Sequence, residues 1–288
     1  SSSYFTSSKT APLIEVKDIT AGYGKRQEMT AVENVNLTIE SGETVGIIGE
    51  SGSGKTTLGR IISGLMAPRS GVVMLNGKPL HGHLANRSRD ELRDIQFAFQ
   101  MADVALNPRQ KIEKILGRPM LFYKNFSKKE VRFEVEKLLS RVELPADFSK
   151  RYPTELSGGQ RQRVNLARAL AAEPKLIICD EITSALDTIV AQQILDLLQS
   201  LQEELGLSYL FITHNIATVA QISKKIAVMR EGKIIEQGFV EDVLTPPCHE
   251  YTQLLLTSVP EMRTDWLDNA VLERRQLLTE LNRMQGVK

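Results

Sequence analysis

A stretch with almost nothing to pack stands in the first fifth of the chain: Gly49-Glu50-Ser51-Gly52-Ser53-Gly54-Lys55-Thr56-Thr57. The run before it, Glu43-Thr44-Val45-Gly46-Ile47-Ile48, is short, apolar and β-branched and predicts a buried strand. The run after it, Leu58-Gly59-Arg60-Ile61-Ile62, has helical spacing of apolar residues. A glycine-rich bend between a buried strand and a helix turns backbone amides inward to hold an anion. Gly49, Gly54, Lys55 and Thr56 satisfy the spacing GxxxxGK[ST]. In that pattern the amides of the loop, including those of Ser51, Gly52, Ser53 and Thr57, can approach phosphate oxygens. Lys55 can reach β- and γ-phosphates, and the Thr56 hydroxyl can ligate Mg2+.

The surrounding pattern predicts the layers. Leu13–Ile19 and Val32–Ile39 alternate apolar and polar residues and read as half-exposed antiparallel strands. Gly71–Gly77 reads as a short strand ending in a turn, and Ile95–Gln100 as a further strand. From about residue 101 to 170 the texture is helical. Ser127-Lys128-Lys129-Glu130 has capping-box spacing, and Val131, Val135, Leu138, Leu139 and Val142 follow on one face. Strand patterns return at Leu176–Glu181 and Tyr209–His214, separated by a helix of about 17 residues that closes at Gly206. Such βαβ alternation predicts an α/β fold with a largely parallel sheet, interrupted by a helical insert. Pro246-Pro247 marks a break, after which a charged helical tail is expected, including Glu273–Leu278.

Composition narrows what remains. With 288 residues there is ample chain for a buried core, and 36 Lys and Arg against 35 Asp and Glu leave a net charge of +1. That balance gives no electrostatic case for nucleic acid or an anionic membrane surface. Two cysteines, Cys179 and Cys248, are too few for a disulfide framework and point to a reducing compartment. No apolar run approaches the roughly 18 to 20 residues that span a bilayer. Any membrane role is therefore expected to come through a partner. The amino-terminal SSSYFTSSKT lacks the layout of a signal peptide, and disorder is expected there.

Two further stretches carry chemistry. Leu176 to Cys179, followed by Asp180-Glu181, has the form of a buried strand delivering two carboxylates at its carboxyl end. Asp180 can hold Mg2+ directly or through water, and Glu181 can polarise a water for in-line attack on a γ-phosphate. Leu156-Ser157-Gly158-Gly159-Gln160 places Ser157 where a helix N-cap belongs, with two glycines leaving the first amides uncovered. A second anion-binding helix start, with only one phosphate loop in the chain, makes geometric sense if it serves a neighbouring chain's nucleotide.

LSGGQ between such a loop and such a strand resembles the signature of ATP-binding-cassette ATPases. Other positions match that family in order. Tyr23 in Ala21-Gly22-Tyr23-Gly24 matches the aromatic that stacks on adenine, and Gln100 the Q-loop glutamine near Mg2+, the attacking water and the transporter coupling surface. Ser184-Ala185-Leu186-Asp187 matches the D-loop, and His214 the switch histidine that senses the γ-phosphate. Over about residues 13 to 260 the chain is similar to the oligopeptide/dipeptide/nickel importer subfamily, through Leu106-Asn107-Pro108-Arg109, Tyr152-Pro153 and Thr245–Thr252. It departs from the subfamily at Pro247-Cys248-His249-Glu250 and at Ile182. The single tail cysteine, Cys248, argues against the iron–sulfur cluster some relatives bear.

The resemblance implies a P-loop, RecA-like α/β core with an antiparallel β subdomain and a helical signature subdomain. Expected boundaries are a disordered segment over 1–12, an ATPase domain over 13–245 with its helical part at about 101–170, and a C-terminal extension over 246–288. It implies ATP and Mg2+ as ligands, with Mg2+ near Thr56, Gln100 and Asp180, and Lys55, Gln100, Glu181 and His214 in hydrolysis. Ser157, Gly158, Gly159, Gln160 and Asp187 would face a partner's nucleotide. The implied partners are a second, related ATPase, two permease subunits and, indirectly, a substrate-binding protein, with the chain peripheral on the cytoplasmic face of the inner membrane. Peptide is the expected cargo, with nickel, opines or other small solutes as alternatives. A soluble cassette ATPase of DNA repair or translation is the rival class.

Overall fold

The structure, a computed structural model, describes residues 10–26, 28–100 and 102–258. The segment up to residue 9 of the expected disordered amino terminus, and the charged stretch expected at Glu273–Leu278, lie outside the described residues. The strands are β1 (Ile14–Tyr23), β2 (Met29–Ile39), β3 (Thr44–Ile48), β4 (Ser70–Leu75), β5 (Lys78–Pro79), β6 (Ile95–Ala98), β7 (Leu176–Asp180), β8 (Ser208–Ile212), β9 (Lys225–Arg230) and β10 (Lys233–Phe239). The helices are α1 (Lys55–Ser63), α2 (Arg89–Asp94), α3 (Ala102–Ala105), α4 (Ile112–Lys124), α5 (Lys128–Arg141), α6 (Gly158–Leu170), α7 (Thr188–Leu205), α8 (Ile216–Ile222), α9 (Val240–Val243) and α10 (Glu250–Thr257).

Two sheets form. One is antiparallel, in the order β2-β1-β4-β5; the other runs β10-β9-β3-β8-β7-β6. Within the second, β3, β6, β7, β8 and β9 pair in parallel, and β10 adds as an antiparallel edge. The central strands β3, β7 and β8 are buried at every position. Uninterrupted apolar runs such as Leu176–Cys179 are what a parallel sheet covered on both faces requires. On one face, α1 puts Leu58, Ile61 and Ile62 into a core shared with β1, β2 and the inner residues Val45, Ile47, Ile178 and Leu210. On the other face, α6, α7 and the helical insert supply Leu166, Leu170, Ile194, Leu198, Leu116 and Leu139.

Because β3, β6, β7 and β8 are parallel, their carboxyl ends reach the same edge of the sheet. Segments 49–54, 99–100, 181 and 213–214 therefore emerge side by side, where open α/β sheets hold ligands.

Several boundaries shift from the sequence reading. β1 is longer than expected and buried from Ile19 to Gly22, because it packs over α1 instead of facing solvent. β6 stops at Ala98 and β8 at Ile212, so Gln100 and His214 stand two residues beyond their strands, on loops. The helix expected from Leu58 begins at Lys55, directly on the loop. The capping box at Ser127 is present, with Glu130 N–H bonded to Ser127 Oγ at 3.3 Å and Ser127 N–H to Glu130 Oε2 at 2.7 Å.

The far end of α1 is held by a charge. Arg87 is 6% exposed; it donates through Nη1 to Ile62 O at 2.7 Å, through Nη2 to Ile61 O at 3.4 Å and through Nε to His81 O at 2.9 Å. The Ile61 and Ile62 carbonyls belong to the last turn of α1, where a cation is favourable. Burial lowers the Arg87 pKa to about 10, so it stays charged at neutral pH. Arg87→Met keeps the stem but removes the donors to Ile62 O, Ile61 O and His81 O, of which Ile61 O keeps the Gly64 N–H, and should cost roughly 2–4 kcal/mol. Urea unfolding checks this through a lower midpoint at unchanged slope; an unchanged midpoint would remove the cap from the account.

Candidate active site

The loop between β3 and α1 is shaped around Lys55. Gly54 caps α1 with φ +103°, and a Cβ there would sit 2.8 Å from Ala31 O and 2.9 Å from Val32 Cγ1, so both conformation and space demand glycine. Lys55 is 6% exposed, and its Nζ donates to Gly49 O at 2.6 Å and Glu50 O at 2.9 Å. Burial lowers its pKa, opposed by the nearby charges of Glu181, Asp180 and Glu50. A cation held by two backbone carbonyls and, at 3.5 Å, by the Ser53 hydroxyl, with three acids nearby, is set to receive a more negative group.

Glu181 is the most heavily bonded group at the sheet edge. It follows β7 with φ +49°, which swings its side chain off the strand direction. Its Oε1 accepts from the His214 backbone N–H at 3.0 Å and from His214 Nδ1–H at 2.9 Å; its Oε2 accepts from Thr213 Oγ1 at 3.2 Å and from Ser184 Oγ. The carboxylate is thus aimed by residues from two loops, while the His214 side chain remains 64% exposed on its outer side.

Asp180 differs. It is 4% exposed, and its Oδ1 has no hydrogen-bond partner among the described residues. Burial holds its pKa above the usual carboxylate range and Glu181 adds to this, against the Thr56 hydrogen bond and the charges of Lys55 and Arg60. A buried, unpartnered carboxylate oxygen beside a threonine hydroxyl suits a hard divalent cation, which takes few protein oxygens and completes its shell with water and phosphate. The described residues contain no group of three His, Cys, Asp or Glu that could hold a metal by themselves.

Tyr23, Gly49–Gly52, Gly54, Lys55, Thr56, Thr57, Gln100, Glu181 and His214 line one cavity of about 720 Å3. Tyr23, at the end of β1, shares a 2.8 Å hydrogen bond with Thr57 Oγ1 while its ring stays partly exposed. The sequence-predicted residues Ser53, Ser157, Gly158, Gly159, Gln160, Asp180 and Asp187 are not in that lining; Ser53 and Asp180 are buried just behind it. Ser157 caps α6 in a capping box with Gln160, N–H to Oε1 at 2.9 Å and Oγ from N–H at 3.2 Å. Gly159 has a packing reason of its own: a Cβ there would meet Val190 Cγ1 at 2.5 Å. The idea that both glycines only bare amides is therefore incomplete, since Gly159 also lets α6 close on α7. Asp187 is exposed and caps α7 through a 3.0 Å bond from Val190 N–H.

Sequence reasoning missed the struts. From α6, Gln162 Nε2 donates to Gln100 O at 3.2 Å and to Ile182 O at 2.8 Å, and Asn165 Nδ2 donates to Phe99 O at 3.0 Å. The helix that starts at LSGGQ is in this way tied to the loops carrying Gln100 and Glu181. Buried polar residues on a helix face otherwise rich in Val, Leu and Ala were the available signal. Thr213 was the other omission, visible only once β8 had placed it beside Glu181.

Comparison with known proteins agrees with this geometry. Residues 32–184 match the family described as ABC transporter, and residues 235–286 the oligopeptide/dipeptide transporter C-terminal region. The oligopeptide transport ATP-binding protein OppF of Streptococcus pyogenes is 41% identical over 92% of this chain and 86% of its own. The ATP-binding cassette MJ0796, solved as a dimer in a post-hydrolysis state bound to ADP and Pi, superposes with a TM-score of 0.69 at 34% identity over 79% of this chain and 98% of its own. CbiO1 of Clostridium perfringens, part of the ABC transporter complex cbiONQ, gives 0.72 at 26% identity over 90% of this chain and 98% of its own.

Proposed function

The chain belongs to the ABC transporter family as an ATP-binding and ATP-hydrolysing subunit, and we propose that it powers import of oligopeptides or dipeptides through partner permeases. The observation that carries the chemistry is the cavity that brings Lys55, Glu181 and His214 together beneath the glycine loop. The C-terminal region of oligopeptide/dipeptide-transporter type and the likeness to OppF support the cargo.

In this reading, ATP lies with its phosphates along Gly49 to Thr57 and its base against Tyr23. Lys55 moves from the Gly49 and Glu50 carbonyls onto the β- and γ-phosphates. Thr56, Asp180 and Gln100 would hold Mg2+, which when bound neutralises developing phosphate charge. Glu181, aimed by Ser184, Thr213 and His214, accepts the proton of the attacking water, and His214 presents its exposed side to the γ-phosphate. Catalysis is then positioning plus charge stabilisation in a site completed only on closure.

Closure needs a second cassette. Ser157 to Gln160 and Asp187 lie off the cavity of their own chain, and Ile189 beside Asp187 is 73% exposed, which favours a head-to-tail pair in which each signature helix faces the partner's nucleotide. A related but different ATPase is the proposed partner. A groove of about 410 Å3 lined by Gln96, Asn107, Gln110, Arg118, Phe122 and Arg168 lies where the strand leading to Gln100 meets the helical insert, and suits a cytoplasmic segment of the permease. No helix among the described residues is long and apolar enough to cross a membrane. The location proposed for the chain, through its permease partners, is peripheral on the cytoplasmic face of the inner membrane.

Affinity purification of the tagged chain from detergent-solubilised membranes, with mass spectrometry of its companions, tests this. Two multi-span proteins and a second cassette ATPase are expected. Ribosomal or DNA-repair proteins without membrane subunits would overturn the transporter reading.

A further inference from the structure

One residue of the described carboxyl-terminal segment bonds the phosphate loop directly. The hydroxyl of Tyr251, on α10, accepts a 3.1 Å hydrogen bond from the Glu50 backbone N–H. The C=O of that same peptide unit belongs to Gly49 and accepts from Lys55 Nζ at 2.6 Å. One peptide plane of the loop is thus clamped on both sides, by the lysine that must move to phosphate and by a side chain 201 residues away in sequence.

Tyr251 is itself held. It is 3% exposed, and the Arg230 guanidinium lies 4.9 Å from its ring centroid. Its helix is strapped to β10 by Glu236, whose Oε2 accepts from Thr252 Oγ1 at 2.7 Å and from the His249 N–H at 3.2 Å. Further along α10 and just past it, Leu255 and Ser258 line the same cavity as the loop, Glu181 and His214.

We infer that Tyr251 is a positioning residue for the nucleotide site: its hydroxyl holds the Gly49–Glu50 peptide so that the phosphate loop stays open and preorganised when Lys55 leaves its carbonyls for phosphate. The carboxyl-terminal region thereby becomes a wall of the ATP site and a determinant of nucleotide affinity, in addition to any role with partners. This rests on the reading of the cavity as the ATP site.

The test is equilibrium binding of a fluorescent ADP analogue and of ATP to the full chain, with steady-state hydrolysis in the assembled complex. Tyr251→Phe keeps the ring and the Arg230 contact but removes the acceptor. One neutral hydrogen bond is worth a factor of about 3 to 10, so Kd and KM should rise by that factor while kcat stays within about twofold, the pattern of lost uniform binding. Leu254→Ala, an exposed change on the same helix, should alter neither. A lower melting temperature with unchanged nucleotide affinity would make Tyr251 merely structural and overturn the inference. Wild type that binds no nucleotide would instead overturn the reading of the site. Hydrogen exchange on the nucleotide-free wild type gives a check that needs no variant: the Glu50 amide is expected to be protected, and free exchange there would contradict the clamp.

Discussion

Glu181→Gln is expected to reduce ATP turnover by about 10² to 10⁴, the usual contribution of a positioned general base, while ATP still binds. The amide matches the carboxylate in size, so the cavity keeps its shape. It cannot keep all its bonds, however: four donors converge on the two Glu181 oxygens, two of them from His214, and the NH2 group that replaces one oxygen cannot accept. The loss should therefore fall on chemistry and on the orientation of His214, not on the phosphate loop. Phosphate release at saturating ATP, with nucleotide affinity measured separately, gives the result. Turnover within tenfold of wild type would remove Glu181 from the base role.

Lys55→Ala should act on the other side of the split. The Lys55 ammonium has two close carbonyl partners in the loop and would exchange them for phosphate oxygens. Two charge-assisted bonds at about 1.5 kcal/mol each amount to about 3 kcal/mol, or roughly 10²-fold in Kd. The fold itself should not suffer in proportion. Burial lowers the Lys55 pKa, which means the folded chain disfavours the charge it carries at neutral pH, so removing it relieves a desolvation cost even as two backbone bonds are lost. The nucleotide-free melting temperature is expected to hold, while the rise on adding ATP disappears. A large drop without nucleotide, with ATP affinity retained, would place Lys55 in the scaffold and not in the site.

How far these features were legible in the sequence depends on whether they are local. The phosphate loop, the two carboxylates at the end of β7, the capping box at Ser127 and the N-cap at Ser157 are written in consecutive residues, because a strand end or a helix start specifies its own backbone geometry. The presence of the buried strands β3, β7 and β8 followed from uninterrupted apolar runs, but their order in the sheet did not. The hairpin β9–β10 was just as local, with Glu231 and Gly232 both at positive φ between β-branched runs, and was simply overlooked. Strand ends were harder. β6 and β8 stop two residues short of the polar residues that matter, with the last ladder pairs at Ala98 and Cys179 and at Asp180 and Ile212. Contacts across long separations were out of reach: no local pattern announces that Gln162 braces the Gln100 loop, or that Tyr251 meets Glu50. Gly159 shows the opposite trap, a motif glycine whose phosphate-facing reading hid an equally firm packing demand from Val190.

The central claim is that this cassette drives peptide inward. It is tested most directly by placing the complex recovered with the chain in proteoliposomes, with ATP enclosed and the binding protein and a labelled oligopeptide outside. The account predicts that the peptide accumulates inside only with ATP, and not when Glu181→Gln replaces the wild-type chain. A complex that hydrolyses ATP yet leaves the peptide outside, or expels peptide loaded within, would contradict it.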